Sequence, residues 1–145
     1  MSGFLLDTNV ISELVKPRPD AGVTGWVDSV EESLLYLSVL TLGEIRQGIA
    51  GFRSGRRRAD LEAWLEGSLR ARFSGRTLPV NDSVADRWGQ IMALADARGA
   101  RMPVIDGLFA ATALHHNLTL VTRNVADVEA SGASVFNPWT SARRR

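Results

Sequence analysis

The chain has 145 residues, no cysteine and a formal net charge of +1. That length suits one domain able to bury a core without staples, and the lack of cysteine excludes disulfides, thiolate metal sites and cysteine nucleophiles. No apolar run reaches the roughly eighteen residues that span a bilayer, and no basic region precedes an apolar stretch at the start, so a cytoplasmic protein with no membrane role is expected.

Phe4, Leu5 and Leu6 form a continuous apolar run, the pattern of a strand covered on both faces in a parallel sheet. Asp7 then falls at the carboxyl end of that strand, where open α/β sheets bind ligands. The alternative, that Asp7, Thr8 or Asn9 only caps the next helix, stays open on these residues alone. Val10, Ile11, Leu14 and Val15 recur at helical spacing until Pro17 and Pro19 close the helix. Residues 21–31 predict a second helix with Val23, Trp26, Val27 and Val30 on one face, and 34–39 a second strand beside the first.

Thr41 reads as the start of a helix burying Leu42, Ile45, Ile49 and Phe52. Thr41, Glu44, Gly48 and Gly51 form a second, small or polar stripe. Two helix glycines cost roughly 1 kcal/mol each relative to alanine, which favours a site at Glu44 over an ordinary solvent-facing glutamate. A basic turn follows at 53–58, where Arg53, Arg56, Arg57 and Arg58 are either RNA contacts or a solvated face. Arginine offers planar, bidentate recognition of phosphate, and Lys16 is the sole lysine among 17 basic residues, although codon bias alone yields the same preference. The next helix carries Leu61, Trp64, Leu65 and Leu69 on one side.

Residues 77–80 predict a short strand, and Asn81, Asp82 and Ser83 cap a helix that runs to Arg98 and stops at Gly99. Its stripe of Val84, Trp88, Ile91, Met92 and Ala95 is core with no implied chemistry. In 102–114, Pro103 suits a helix start, and the segment is apolar nearly all round with Asp106 as its one acid. An unpaired buried charge costs several kcal/mol. The helix N-terminus offsets roughly 0.3–1 kcal/mol, and a bound cation could supply the remainder. His115 and His116 suit the carbonyl end of that helix better than catalysis. Residues 118–122 predict a strand delivering Arg123, Asn124 and Asp127 at its carboxyl end, and 134–136 an edge strand. The division expected is one domain over 1–140 and a disordered basic tail over 141–145.

Alternating strands and helices imply an α/β fold with a central, mostly parallel sheet of four or five strands. Its carboxyl edge would gather Asp7, Glu44, Asp106 and either Asn124 or Asp127. Carboxylates sharing a pocket repel unless a cation neutralises them, and oxygen-only donors select Mg²⁺ or Mn²⁺. Metal-dependent phosphodiester hydrolysis is the natural use of such a site.

In four segments the sequence resembles the PIN-domain ribonucleases, in particular the VapC and FitB-like toxins of bacterial toxin–antitoxin pairs. These are Leu6-Asp7-Thr8-Asn9-Val10-Ile11-Ser12-Glu13, Ser38-Val39-Leu40-Thr41-Leu42-Gly43-Glu44-Ile45, Asp106 with Leu108 and Ala110-Ala111, and Leu120-Val121-Thr122-Arg123-Asn124-Val125-Ala126-Asp127-Val128. The resemblance implies a three-layer α/β/α domain and a Mg²⁺- or Mn²⁺-dependent endoribonuclease acting as a toxin. It makes Asp7 and Asp106 the main metal ligands, Glu44 a ligand or orienting base, and Thr8 or Asn9 a supporting hydrogen-bonder. Many members carry an acid where this chain has Asn124, so Asn124 and Asp127 both remain candidates for the fourth position, and the count of metal ions stays open. Arg123 joins the possible RNA contacts. A homodimer and a cognate antitoxin are implied as partners, singly or in a larger complex, with Trp26 and Trp64 in the half where such contacts fall. Haloacid-dehalogenase phosphatases want an acid where Asn9 stands, and they and receiver domains need a lysine late in the chain. A P-loop is absent. The remaining alternative is a non-catalytic PIN-like scaffold, against which the retained acids argue.

Overall fold

The computed structural model describes residues 3–139. The expected tail at 141–145 lies outside them. β1 (Phe4–Leu6), β2 (Leu35–Ser38), β3 (Thr77–Leu78), β4 (Thr119–Val121) and β5 (Val135–Phe136) form one five-stranded sheet in the order β3-β2-β1-β4-β5. Every pairing is parallel, with Phe4 opposite Leu35 on one side of β1 and Leu6 opposite Val121 on the other.

Strand alternation sorts the core into two faces. Leu6, Leu35, Leu37 and Val121 pack with α1 (Thr8–Leu14), α2 (Ala21–Ser29) and α3 (Val39–Ala50). Leu5 and Leu120 point the other way, against Phe109 and Ala113 of α7 (Val104–His115) and Val128 of α8 (Val125–Val128). Behind α7, Val84, Ile91 and Ala95 of α6 (Asp82–Ala97) complete the third layer. Leu5 and Leu6 are both fully buried, as a strand covered on both faces requires.

The last helix of the first face begins as α4 (Arg56–Ala63), widens into a π-helical segment at Trp64–Leu69 and closes as α5 (Arg70–Arg72). Leu65 and Leu69 enter the core, and Leu61 and Trp64 pack against its edge.

Some expectations shift. α3 starts at Val39, because the Ser38 hydroxyl caps it by accepting from the Leu40 N–H at 3.0 Å. It ends before Phe52, which is therefore 42% exposed and covered by the Arg57 guanidinium at 5.8 Å instead of by core. Trp26 packs edge-on to Phe4 at 5.1 Å and beside Phe136 at 5.2 Å. Both Trp26 and Trp64 pack against the edge of this core and stay partly exposed. Among the described residues no helix is long and apolar enough to cross a membrane.

Candidate active site

From β1 the chain steps to β2 and β3 on one side, whereas β4 and β5 lie on the other. The carboxyl end between β1 and β4 is therefore the switch point of the sheet, where departing connections leave a crevice. A cleft of about 370 Å³ opens there, lined by Asp7, Thr8, Asn9, Glu44, Asp106 and Asn124, with Ser12, Glu13, Lys16, Arg123 and Trp139 completing its walls.

Asp7 is delivered by β1, its backbone N–H donating to the Val121 carbonyl at 2.9 Å. The carboxylate is buried at 6% exposure. Oδ1 accepts from the Thr8 N–H at 2.6 Å, so Asp7 does cap α1. Oδ2 accepts from the Thr122 hydroxyl at 2.6 Å and from Asn9 Nδ2 at 3.5 Å. The capping reading of Asp7 therefore holds for one oxygen, while the other is held by Thr122 and Asn9 beside the cleft. Burial raises its pKa above the ordinary 3.8, the bonds from Thr122 and Thr8 oppose that rise, and the Glu44 charge adds to it.

The Thr8 hydroxyl donates to Glu44 Oε1 at 2.6 Å and lies 3.0 Å from the Thr41 hydroxyl. The first half of the polar stripe on α3 thus faces the cleft. Its second half does not: Gly48 is exposed, with open space where a side chain would go. Asp106 sits in the first turn of α7, half-buried. Its pKa is pushed up to about 6, by burial first and then by the charges of Asp7, Asp127 and Glu44. That coupling means the four acids share one electrostatic field.

At the fourth position Asn124 lines the cleft, while the exposed Asp127 acts on Asp106 through its charge. Among the possible RNA contacts Arg123 is a cleft residue. Arg53 lies in the turn after α3, and Arg56, Arg57 and Arg58 open α4, where Arg58 bonds the Phe52 carbonyl at 3.2 Å. None of these four lines the cleft.

Thr122 is not among the candidate residues the sequence offers, yet it is fully buried and central. Besides bonding Asp7 it accepts from Asn9 Nδ2 at 3.3 Å and from the Asn124 N–H at 3.0 Å. The signal was its place one residue past the end of β4, as Asp7 is one past β1, and the Leu6–Val121 pairing makes the two neighbours. Asn9 Oδ1 is buried without a hydrogen-bond partner, an acceptor left over for a donor or a cation.

All the convergent donors are oxygens, which suits a hard divalent ion in kind. Among the described residues no three His, Cys, Asp or Glu side chains are drawn together tightly enough to enclose an ion. Mg²⁺ does not need that, since it is commonly held by one or two carboxylates and keeps several waters.

Residues 4–126 match the PIN domain family. The chain is 42% identical over 136 residues to Toxin FitB of Neisseria gonorrhoeae, covering 94% of this chain and 98% of that protein. It is 39% identical over 139 residues to VapC ribonuclease Y4jK of Sinorhizobium fredii, covering 96% and 99%. A crystal structure of FitAcB from Neisseria gonorrhoeae superposes with a TM-score of 0.90 at 41% identity, covering 94% of this chain and 98% of that one. With the acids at the switch point of a five-stranded parallel sheet and likeness along nearly its whole length, the chain belongs to the PIN-domain family, among its FitB- and VapC-like members.

Proposed function

We propose that this protein is a Mg²⁺- or Mn²⁺-dependent endoribonuclease, the toxin of a toxin–antitoxin pair, that hydrolyses RNA phosphodiester bonds. The observation that carries the reading is the gathering of Asp7, Glu44 and Asp106 in one cleft, where burial first and the charges of neighbouring acids second lift the Asp106 pKa to about 6. A fold without use for a cation gains nothing from acids placed to repel one another. Likeness to a protein named a toxin and another named a ribonuclease supports the same class.

Asp7 and Asp106 would hold the ion, with Glu44 beside them. When bound, such an ion supplies charge stabilisation to the phosphodiester and lowers the pKa of the attacking water. The protein's own residues prepare that site. Thr122 and the Thr8 N–H donate to the Asp7 carboxylate and oppose the rise in its pKa that burial causes. Thr8 fixes the Glu44 carboxylate, leaving its second oxygen for a water or ligand. Asn124 presents an amide at the cleft wall. We further assign a cognate antitoxin and a second copy of this chain as partners. Light scattering at micromolar concentration should return a dimer, and a monomer throughout that range would remove the second copy.

The test is cleavage of a mixed RNA pool by purified protein with Mg²⁺, with Mn²⁺ and with chelator. Cleavage with either metal, abolished by chelator and in Asp7→Asn, is expected. RNA left intact by the native protein with both metals would place the chain among non-catalytic PIN-like scaffolds.

A further inference from the structure

One wall of the cleft carries the opposite charge. Lys16, just past the end of α1, and Arg123, just past β4, line the same opening as the acids. The Lys16 ammonium donates to Glu13 Oε1 at 2.9 Å, yet its side chain stays 55% exposed and two of its three donors point elsewhere. Glu13 is itself buried and receives the Asp20 N–H on Oε2 at 2.9 Å, so it holds Lys16 from a fixed position.

Arg123 is anchored differently. Its guanidinium lies 5.3 Å over the ring of Trp139, which is 4% exposed. Among the described residues no carboxylate pairs with it. Contact with the ring face uses the charge of the guanidinium and not its N–H donors, an arrangement suited to an oxyanion. Lys16 and Arg123 both act on Glu13, which is held below the usual carboxylate range chiefly by its bond from Lys16. The charges acting on Asp7 and Asp106, by contrast, are those of other acids. Lys16 and Arg123 thus stand together beside Glu13, and neither is among the charges acting on Asp7 or Asp106.

We propose that Lys16 and Arg123 form a phosphate-binding subsite that grips a backbone phosphate of single-stranded RNA adjoining the one at the acids. This rests on the nuclease reading for the identity of the polyanion. A strand lying across the cleft would meet the acid wall at the scissile phosphate and the cationic wall at its neighbour, so one opening serves both binding and chemistry.

The test measures binding of a fluorescent single-stranded RNA oligonucleotide without metal, at several salt concentrations, in the Asp106→Asn background. Changing Lys16→Gln or Arg123→Gln should weaken binding several-fold and each reduce the slope of log affinity against log salt by about 0.7, the loss of one phosphate contact. Lys16→Arg, which keeps the charge, should retain most of the slope and shows that the fold tolerates change there. In the native background with metal, both Gln variants should raise KM more than they lower kcat. Unchanged affinity and slope in both Gln variants, or no RNA binding by the parent, would overturn the subsite. If native protein cuts RNA while the variants keep the parent slope, the subsite fails and the nuclease reading stands. If nothing is cut yet the slope falls as expected, the subsite stands and the nuclease reading fails.

Discussion

At Asp106 a carboxyl with an ordinary pKa of 3.8 is held up to about 6. A folded-state pKa above the unfolded one penalises the fold as pH rises between the two, and the penalty is complete above about 6. Its size at neutral pH is at most on the order of 3 kcal/mol, reduced by the solvent that screens a half-buried group. Without metal, stability from this group should therefore increase as pH falls from 7 towards 4. Asp106→Asn should be more stable than the native protein at pH 7 in chelator and lose that part of the pH dependence, as read by urea denaturation at pH 7 and pH 5. Its RNA cleavage should fall roughly a hundredfold or more, a loss of about 3 kcal/mol of transition-state stabilisation. Native-rate cleavage would make Asp106 a structural acid. Thr122→Val removes the hydroxyl that donates to Asp7 Oδ2. A buried carboxylate deprived of a donor costs about 1–3 kcal/mol, so the variant should be less stable at pH 7. Because the Asp7 pKa then rises further, the deficit should shrink in acid, and a deficit that stays equal down to a pH that protonates Asp7 in both proteins would contradict the role given to this bond.

Two helices make opposite forecasts for glycine. On α7, a Cβ at Gly107 would meet Met92 Sδ at 2.7 Å and Trp88 Nε1 at 3.1 Å. The glycine lets α6 and α7 approach and keeps the Trp88 N–H on the Val104 carbonyl at 3.3 Å. Gly107→Ala should lower stability by about 1–3 kcal/mol through overpacking. Gly48, inside α3, has nothing within 4 Å of the same construction. Gly48→Ala should raise stability by about 0.5–1 kcal/mol, since only backbone entropy is at stake. Urea midpoints measure both, and a stabilised Gly107→Ala would show that Met92 moves aside freely. The sequence pattern ties Gly48 to a site at Glu44 and gives no mark to Gly107, because helical period shows which residues share a stripe but not which stripe meets another helix.

For the molecule as a whole, an ion that binds the folded state alone stabilises it by mass action, about 2.7 kcal/mol at a hundred times its Kd. In a domain of this size that corresponds to a Tm rise on the order of 5–10 °C. Mg²⁺ or Mn²⁺ at pH 7 should produce such a rise in the native protein and little in Asp7→Asn/Asp106→Asn. Equal shifts in both would place the ion elsewhere.

The local signals were legible in the chain itself: the fully apolar run of β1, the acid after it, the lone acid opening α7, and the alternation that makes a parallel sheet. They rest on side-chain period and on what a backbone can do over a few residues, so no long-range contact is needed to read them. Pairing across the sheet is another matter. Thr122 reaches Asp7 across 115 residues and Thr8 reaches Glu44 across 36, contacts set by strand register and crossover packing. Lys16 and Arg123 share a cleft for the same reason. Register is decided by the whole core closing at once, with Leu6 against Val121 on one side of β1 and Phe4 against Leu35 on the other, and so only the tertiary structure could decide which polar side chains would meet around the acids.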